Sequence, residues 1–244
     1  MDLHLNGKLA VVTGAAQGIG EAISEGFADE GCNLLLIDKS DLVNKVAERY
    51  GGTALVCDLS ENGSPVKISK LSQELGGADV LVNNAGVSLP APLNKMDDKN
   101  WDTVLDVNLR VAFRLSRAFW DQLSKNNGAI INLASFASKR STLFGNNAAY
   151  VASKHGIAGL TKAAAYEGAT NGVRVNAIAP GVVETEMIKT VHDEPTRKRI
   201  KAFIPQDRFA EPNEIADLVL FLASSRSQHI CGEVVNINGG LCMD

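Results

Sequence analysis

The sequence lacks the features that would associate this protein with a membrane, a nucleic acid or a metal ion. The 244-residue chain contains no apolar run of about 18 residues, the length that spans a bilayer. No basic stretch stands out among its 24 basic and 28 acidic residues, so nucleic acid is not an expected partner. Its four histidines and four cysteines are scattered without metal-ligand spacing. We therefore expect no bound metal, no membrane and no nucleic acid.

The cysteines, Cys32, Cys57, Cys231 and Cys242, also lack the spacing of a disulfide framework. We interpret them as reduced and mostly buried. The apolar stretch at 9–12 is too short for a signal peptide, and glycine soon follows it. These features predict a cytoplasmic protein.

Short runs rich in Val, Ile and Leu alternate with longer helix-like stretches. Runs of this kind, with little polar alternation, are typical of strands buried on both faces of a parallel sheet. The predicted strands lie at 9–12, 33–37, 53–57, 79–82, 129–133, 173–178 and 234–237. The predicted helices lie at roughly 18–30, 41–50, 65–76, 98–125, 146–170 and 211–224. This series predicts an α/β fold, a single domain over 1–244 whose doubly wound parallel sheet has about seven strands and helices on both faces.

The longest remaining connection runs from Gly181 to about Glu211. A connection of this length in a compact domain is commonly a lid or binding loop. We predict a substrate lid around 184–208 that contains a short helix. Its basic run at 197–199 is interpreted as a solvent-exposed face.

A glycine-rich turn, TGAAQGIG at 13–20, follows the first predicted strand. The absent side chains of Gly14, Gly18 and Gly20 would let the turn close and let backbone N–H groups approach a pyrophosphate at the helix start. A plain strand–helix turn is the alternative, but the position between a strand and an amphipathic helix favours a dinucleotide site.

Asp38 ends the second predicted strand, where a carboxylate can bind both hydroxyls of the adenosine ribose. Because it would repel a 2′-phosphate, it favours NAD over NADP. Gln17 is neutral where an NADP site often has a basic residue, whereas Lys39 could pair with a phosphate and weaken the preference for NAD.

Two further strand ends carry candidate cofactor residues. Asn83-Asn84-Ala85-Gly86 suits the floor of a dinucleotide crevice, with an Asn-Gly turn as the alternative. Asp58 could accept a hydrogen bond from the adenine amino group or could cap a helix.

Tyr150 and Lys154 share one face of a predicted helix. The lysine charge would lower the pKa of the phenol, so Tyr150 could act as general base on an alcohol or general acid on a ketone. Ser135 follows a buried strand and could hold the substrate oxygen. Asn108 lies in mid-helix, where it could bind backbone or water and pass protons onward from Lys154.

In this order the motifs resemble those of the short-chain dehydrogenase/reductase family, over essentially the whole chain. The resemblance also rests on PGVVET at 180–185. It implies a Rossmann-type fold, a catalytic set of Asn108, Ser135, Tyr150 and Lys154, pro-S hydride transfer, and a homotetramer. It also implies that the Val183 backbone and the Thr185 hydroxyl hold the carboxamide of the nicotinamide. The full set of expected cofactor-binding residues is Gly14, Gln17, Gly18, Ile19, Gly20, Asp38, Asp58, Leu59, Asn84, Ala85, Gly86, Tyr150, Lys154, Pro180, Gly181, Val183 and Thr185.

The spacing departs from the family between the serine and the tyrosine, where this chain is longer than usual. We prefer Ser135 because the strand fixes its position, with Ser138 as the alternative. The additional residues include Lys139 and Arg140, which could contact an anionic group of the substrate or could simply face solvent.

The sequence therefore predicts an NAD-dependent oxidoreductase acting on a secondary alcohol or ketone of a small polar molecule, such as a sugar, polyol or hydroxy acid. An NADPH-dependent 3-oxoacyl-thioester reductase of fatty-acid metabolism is the nearest alternative. A non-catalytic NAD-binding sensor or assembly subunit is an alternative of another class.

Overall fold

The computed structural model of the chain describes residues 2–191 and 193–243. At its centre is a seven-stranded parallel sheet. The strands are β1 Leu9–Thr13, β2 Asn33–Asp38, β3 Thr53–Val56, β4 Val80–Asn83, β5 Ala129–Leu133, β6 Arg174–Pro180 and β7 Val234–Ile237. Their spatial order is β3-β2-β1-β4-β5-β6-β7. The chain changes direction across the sheet between β1 and β4, and open α/β sheets bind ligands at such a switch point.

Helices connect the strands. They are α1 Gly18–Asp29, α2 Leu42–Tyr50, α3 Ser64–Glu74, α4 Asp98–Leu105, α5 Val111–Asn126, α6 Ala148–Ala169, α7 Glu186–Val191, α8 Glu194–Lys201 and α9 Pro212–Ala223. A π-helical segment, Asp106–Arg110, joins α4 to α5. This fold is the predicted α/β class.

Both faces of the sheet are buried, which explains the lack of polar alternation in the strands. Val12 belongs to an apolar cluster with Ile23 and Phe27 of α1. Its neighbour Val11 belongs to a second cluster with Phe119 of α5. Adjacent residues of a strand point to opposite faces, so helices must cover both sides of the sheet.

Two predicted helices differ from the observed ones. The helix predicted at 98–125 is interrupted by the π-helical segment, whose extra residue per turn has no simple sequence pattern. The helix predicted from 146 begins at Ala148, because Gly145 and Asn146 have φ angles of 68° and 54°. Left-handed residues cannot continue a right-handed helix.

The predicted lid region contains two short helices, α7 and α8, rather than one. A small apolar cluster of Phe136, Ile200, Ile204, Phe209 and Leu241 attaches it to the rest of the molecule. We call residues 184–208 the lid segment.

The cysteines are free thiols, but the expectation that most are buried is wrong. Cys57 is buried, whereas Cys32, Cys231 and Cys242 are partly exposed. These three cysteines lie in connections outside the strands and helices. Among the residues described, no helix is both long enough and apolar enough to cross a membrane.

Candidate active site

The predicted site residues gather along the carboxyl edge of the sheet. Each follows one of the first six strands or lies in a helix that reaches this edge. Carboxyl ends of parallel strands share one edge, so residues distant in sequence are brought together there. The glycine turn follows β1, Asp38 ends β2, Asp58 and Leu59 follow β3, Asn84 to Gly86 follow β4, Ser135 follows β5, and Pro180 to Thr185 end and follow β6.

The turn between β1 and α1 is packed so closely that side chains would not fit. A Cβ at Gly14 would lie 2.9 Å from Ala85 Cα, and one at Gly20 would clash with the carbonyl oxygen of Gly14. Gly14 and Gly18 have φ angles of 66° and 61°. Gln17 occupies the N-cap of α1 without a side-chain capping bond in the described structure, so the first backbone N–H groups suit an anionic phosphate.

Asn84 fixes this turn against β4. Its Nδ2 donates to the carbonyl oxygens of Thr13 and Gly14 at 2.9 and 3.0 Å. The Thr13 hydroxyl donates to the Val82 carbonyl and accepts from the Asn84 and Ala85 amides. These bonds hold Asn84 and Ala85 against the glycine turn, and a role of the NNAG quartet in binding a dinucleotide stays a prediction.

Asp38 is held at the same turn by two backbone amides. Its carboxylate accepts from the Ala16 and Ser40 N–H groups at 3.1 and 2.9 Å. Both bonds fix the carboxylate beside the glycine turn, where the sequence predicts the ribose of the adenosine.

Asp58 is exposed, and its carboxylate accepts from the backbone and hydroxyl of Ser60. These bonds, together with the charge of Lys39, lower the pKa of Asp58. It does not cap α3, whose N-cap residue is Gly63. Leu59 is buried in the apolar cluster of α5. Adenine recognition by Asp58 stays a prediction.

Ser135 and Tyr150 meet at the end of β5. Burial raises the pKa of the Tyr150 phenol, and an interaction with the Ser135 side chain lowers it by a smaller amount. The Ser138 hydroxyl instead donates to the Ser135 carbonyl at 2.6 Å. The geometry therefore favours Ser135 over Ser138.

Lys154 is buried directly behind this pair and is only 5% exposed. Its Nζ donates to the Leu133 carbonyl at 2.6 Å and lies 5.7 Å from the centre of the Tyr150 ring. Burial lowers the pKa of Lys154 to about 8. The pKa of Tyr150 shifts in the direction opposite to the sequence expectation. The charge of Lys154 was expected to lower it, whereas among the chain's own groups desolvation dominates and raises it.

Asn108 lies in the π-helical segment with its side chain 3% exposed. Its Oδ1 accepts from the Val87 amide at 2.7 Å, and its Nδ2 donates to the Val87 carbonyl and the Ser153 hydroxyl. A Cβ at Gly86 would lie 3.4 Å from Asn108 Oδ1 and 3.7 Å from Lys154 Nζ. The structure thus brings Asn108 and Lys154 together beside Gly86, and the proton-relay role stays a prediction.

The segment after β6 returns to the glycine turn. Gly181 approaches Asn238 so closely that a Cβ would lie 2.9 Å from Asn238 Cα. Val183 is buried and forms a parallel bridge with Ala210. A Cβ at Gly18 would lie 3.3 Å from Thr185 Cγ2, so Thr185 sits against the turn expected to hold the pyrophosphate.

Lys139 and Arg140 both contact the last part of the chain. Lys139 Nζ donates to the Val234 carbonyl at 3.1 Å, and Arg140 Nη1 donates to the Leu241 carbonyl at 3.3 Å. Contact of either residue with an anionic substrate stays a prediction.

Sequence reasoning missed an ion pair at the base of the lid segment. Arg197 of α8 pairs with Glu184 in the loop after β6, and Glu184 lies between the two residues expected to hold the carboxamide. Arg197 belongs to the basic run at 197–199 that the sequence analysis interpreted as solvent-exposed. The separation of the two residues in sequence offers no pattern that would have paired them.

None of the four predicted catalytic residues lines the cavity that lies beside the lid segment. A cavity of about 530 Å³ lies between the end of the lid segment and the last strand and turn, and its lining includes Arg208, Asn238 and Cys242. A second cavity of about 380 Å³ opens at the start of α6, beside Asn147 and Val151. Within the described residues, no group of three or more His, Cys, Asp or Glu side chains is arranged to hold a metal ion.

The fold and the site define a Rossmann-type, nicotinamide-dependent oxidoreductase. A family model described as enoyl-(acyl carrier protein) reductase matches residues 14–242. Together with the relatives below, this match shows that the chain belongs to the short-chain dehydrogenase/reductase family.

Proteins that are similar to this chain are named for different substrates. The 3-oxoacyl-(acyl-carrier-protein) reductase FabG of Vibrio cholerae is 37% identical, over 99% of this chain and 100% of its own. The D-threitol dehydrogenase of Mycolicibacterium smegmatis is 37% identical, over 98% and 94%. A crystal structure from Beutenbergia cavernae with bound NADP, assigned as an NAD(P)-dependent gluconate 5-dehydrogenase, is 37% identical with a TM-score of 0.93, covering 99% of each chain. The comparisons establish the family and leave the substrate open.

Proposed function

We propose that this protein is an NAD-dependent oxidoreductase that acts on a secondary alcohol or ketone of a small polar molecule, such as a sugar, polyol or hydroxy acid. The observation that carries the cofactor preference is Asp38, whose carboxylate is held at the glycine turn by the Ala16 and Ser40 amides. A fixed carboxylate binds two ribose hydroxyls well and repels a 2′-phosphate.

The catalytic residues have distinct tasks in this proposal. When bound, a nicotinamide cofactor would supply the hydride chemistry of this reaction, held by the residues of the glycine turn and of the segment after β6. Ser135 bonds the substrate oxygen, and Tyr150 exchanges a proton with that oxygen. Because burial raises the pKa of Tyr150, the protonated phenol is ready to donate when a ketone is reduced. Alcohol oxidation reverses this proton transfer and needs a nearby positive charge to lower the phenol pKa, a task suited to Lys154.

Polar side chains support a polar substrate. The Ser88 hydroxyl and the Asn147 amide bond each other where the loop after Gly86 meets the start of α6. Ser88 follows the NNAG quartet and Asn147 precedes Tyr150 in the sequence, and both side chains offer donors and acceptors to substrate hydroxyl groups. The relatives named for threitol and gluconate are consistent with this class of substrate.

A second candidate is an NADPH-dependent 3-oxoacyl-thioester reductase. It is favoured by the FabG relatives and by exposed Lys39, which follows Asp38 and could pair with a 2′-phosphate. Lys39 also lies near enough to Asp58 to lower the pKa of that carboxyl, so part of its charge is already offset.

The same proposal includes a single domain over 1–244, a substrate-closing role for the lid segment, a cytoplasmic location and a homotetramer. The four free cysteines are in keeping with a reducing compartment. The tetramer follows from the family resemblance.

The test is a fluorescence titration of the protein with NADH and, separately, with NADPH. We expect NADH to bind at least about tenfold more tightly, or roughly 1.4 kcal/mol. Asp38→Asn should bring the two affinities close together because it removes the charge that repels the phosphate. The control is Asp41→Asn, which removes an exposed charge nearby and should leave the preference intact.

Tighter binding of NADPH by the unaltered protein would overturn the NAD assignment and favour the acyl-thioester reductase. Binding of neither dinucleotide would overturn the proposed function, and it would count equally against the NAD-binding sensor.

A further inference from the structure

One ion pair connects the lid segment to the strand-end loop below it. Arg197 of α8 donates from Nη2 to both carboxylate oxygens of Glu184, at 2.9 and 2.8 Å. The Glu184 and Arg197 side chains are only 18% and 13% exposed. Salt screens a largely buried pair of this kind only weakly, and removal of one partner destabilises the structure because it leaves an uncompensated charge.

Arg197 is fixed on more than one side. Its guanidinium carbon lies 5.3 Å from the centre of the buried Phe209 ring, and its Nε pairs with Glu194 at 3.3 Å. Its Nη1, in contrast, is buried with no hydrogen-bond acceptor among the described residues. A buried donor without an acceptor reduces the stability that an ion pair contributes. Stability alone therefore does not explain this pair, and we consider a role in positioning the loop that carries Glu184.

Glu184 lies between two residues whose side chains pack against different parts of the molecule. Val183 is buried in the main apolar cluster, and Thr185 packs against Gly18 of the glycine turn. The Glu184 amide also donates to the Ala210 carbonyl at 2.8 Å. The burial of Val183 and the bond of Glu184 to Arg197 therefore fix the backbone of this loop. Thr185 consequently has little freedom to move away from the glycine turn.

We infer that the Glu184–Arg197 ion pair positions residues 183–185 against the nicotinamide half of the cofactor and couples that loop to α8. The inference rests on the proposed function, because Val183 and Thr185 are expected to hold the carboxamide. Glu184 and Arg197 act here as positioning residues: they need not touch the substrate or the cofactor. Their loss should weaken binding of the nicotinamide half and leave the adenosine half unaffected.

The experiment compares two probes by calorimetric titration: NADH, and ADP-ribose, which has the adenosine and both phosphates but no nicotinamide. The variants are Glu184→Gln, Arg197→Gln and the double variant. The control is Lys198→Gln, which removes an exposed positive charge from the same helix. We expect each single variant to raise the ratio of the NADH Kd to the ADP-ribose Kd by about tenfold, with no further rise in the double variant. Lys198→Gln should leave the ratio unchanged.

A ratio that stays constant in the single variants would overturn the inference, whether both ligands bind normally or both bind more weakly by the same factor. If Arg197→Gln does not fold, the ratio for Glu184→Gln decides alone. If the unaltered protein bound neither NADH nor NADPH, the proposed function and this inference would fail together. Normal NADH binding with a constant ratio would overturn only the positioning role.

Discussion

The catalytic wall and the lid segment meet at Phe136 and are held in different ways. By the catalytic wall we mean the proposed catalytic residues Ser135, Tyr150 and Lys154, which the end of β5 and α6 carry. Lys154 is buried and bonded to a backbone carbonyl. The lid segment is attached by a small apolar cluster and by charged side chains, among them Arg199, which lies 5.2 Å from the Phe144 ring centre.

The difference matches what each region must do. Groups that exchange a proton with the substrate need fixed positions, which backbone contacts and burial provide. A segment that admits and covers a substrate must open at a modest energetic cost, which exposed side-chain contacts allow. Substitutions in the wall should therefore change the chemistry, and those in the exposed part of the lid segment should mainly change binding.

The largest effect is expected from Tyr150→Phe. This variant keeps the ring but removes the hydroxyl that transfers the proton, so kcat should fall by about 10² to 10⁴-fold. The measurement is steady-state kinetics on a panel of sugars, polyols, hydroxy acids and acyl thioesters, with NADH binding measured in parallel. Tyr166→Phe serves as the control because Tyr166 lies on the same helix and is 88% exposed. Similar kcat values for the two variants would remove Tyr150 from the catalytic wall.

A smaller effect should appear in the pH dependence of stability. Lys154 has a pKa of about 8 in the folded protein and 10.5 otherwise. Between these values the unfolded chain binds more protons, so this residue makes the free energy of unfolding rise with pH. The unfavourable contribution of Lys154 to stability is fully present below about pH 8. It decreases as the pH rises through the folded pKa of about 8 towards the ordinary value of 10.5.

The comparison with Lys154→Met measures this contribution. The stability of the unaltered protein relative to Lys154→Met should increase between pH 8 and 10 by at most about 1.4 kcal/mol per pH unit. Lys162→Met, which replaces an exposed lysine of α6, should show no such trend. Urea denaturation at several pH values provides the measurement. A flat difference would mean that Lys154 is better solvated than its surroundings indicate.

The smallest effect is expected in the lid segment, from Phe203→Ala. The Phe203 ring contacts Phe144 edge to face with centroids 6.3 Å apart, and such an exposed pair contributes about 1 kcal/mol or less. We expect KM to rise a few-fold while kcat is retained. Phe113→Ala is a matched control, since Phe113 is similarly exposed and contacts Arg117 of its own helix, α5, rather than the lid segment. A large loss of kcat in Phe203→Ala would erase the distinction between lid and wall.

Much of the fold could be predicted because buried parallel strands leave a direct pattern. All seven predicted strands are present, with ends shifted by at most a few residues. The errors in the helices fall where local geometry departs from a simple period: at the π-helical segment that contains Asn108, and at left-handed Asn146 before α6. Neither departure changes the hydrophobic pattern, so neither could be recognised from it.

The sequence by itself determined the α/β class, the order of the motifs and the residue types available for catalysis, because these depend on periodicity and on residue identity along the chain. The tertiary structure decided the partnerships. It placed the Ser135 side chain against Tyr150, gave the Ser138 hydroxyl to a backbone carbonyl, and joined Glu184 to Arg197. It also reversed the expected direction of the Tyr150 pKa shift among the chain's own groups, because desolvation depends on what surrounds a side chain in space and not on its neighbours in sequence.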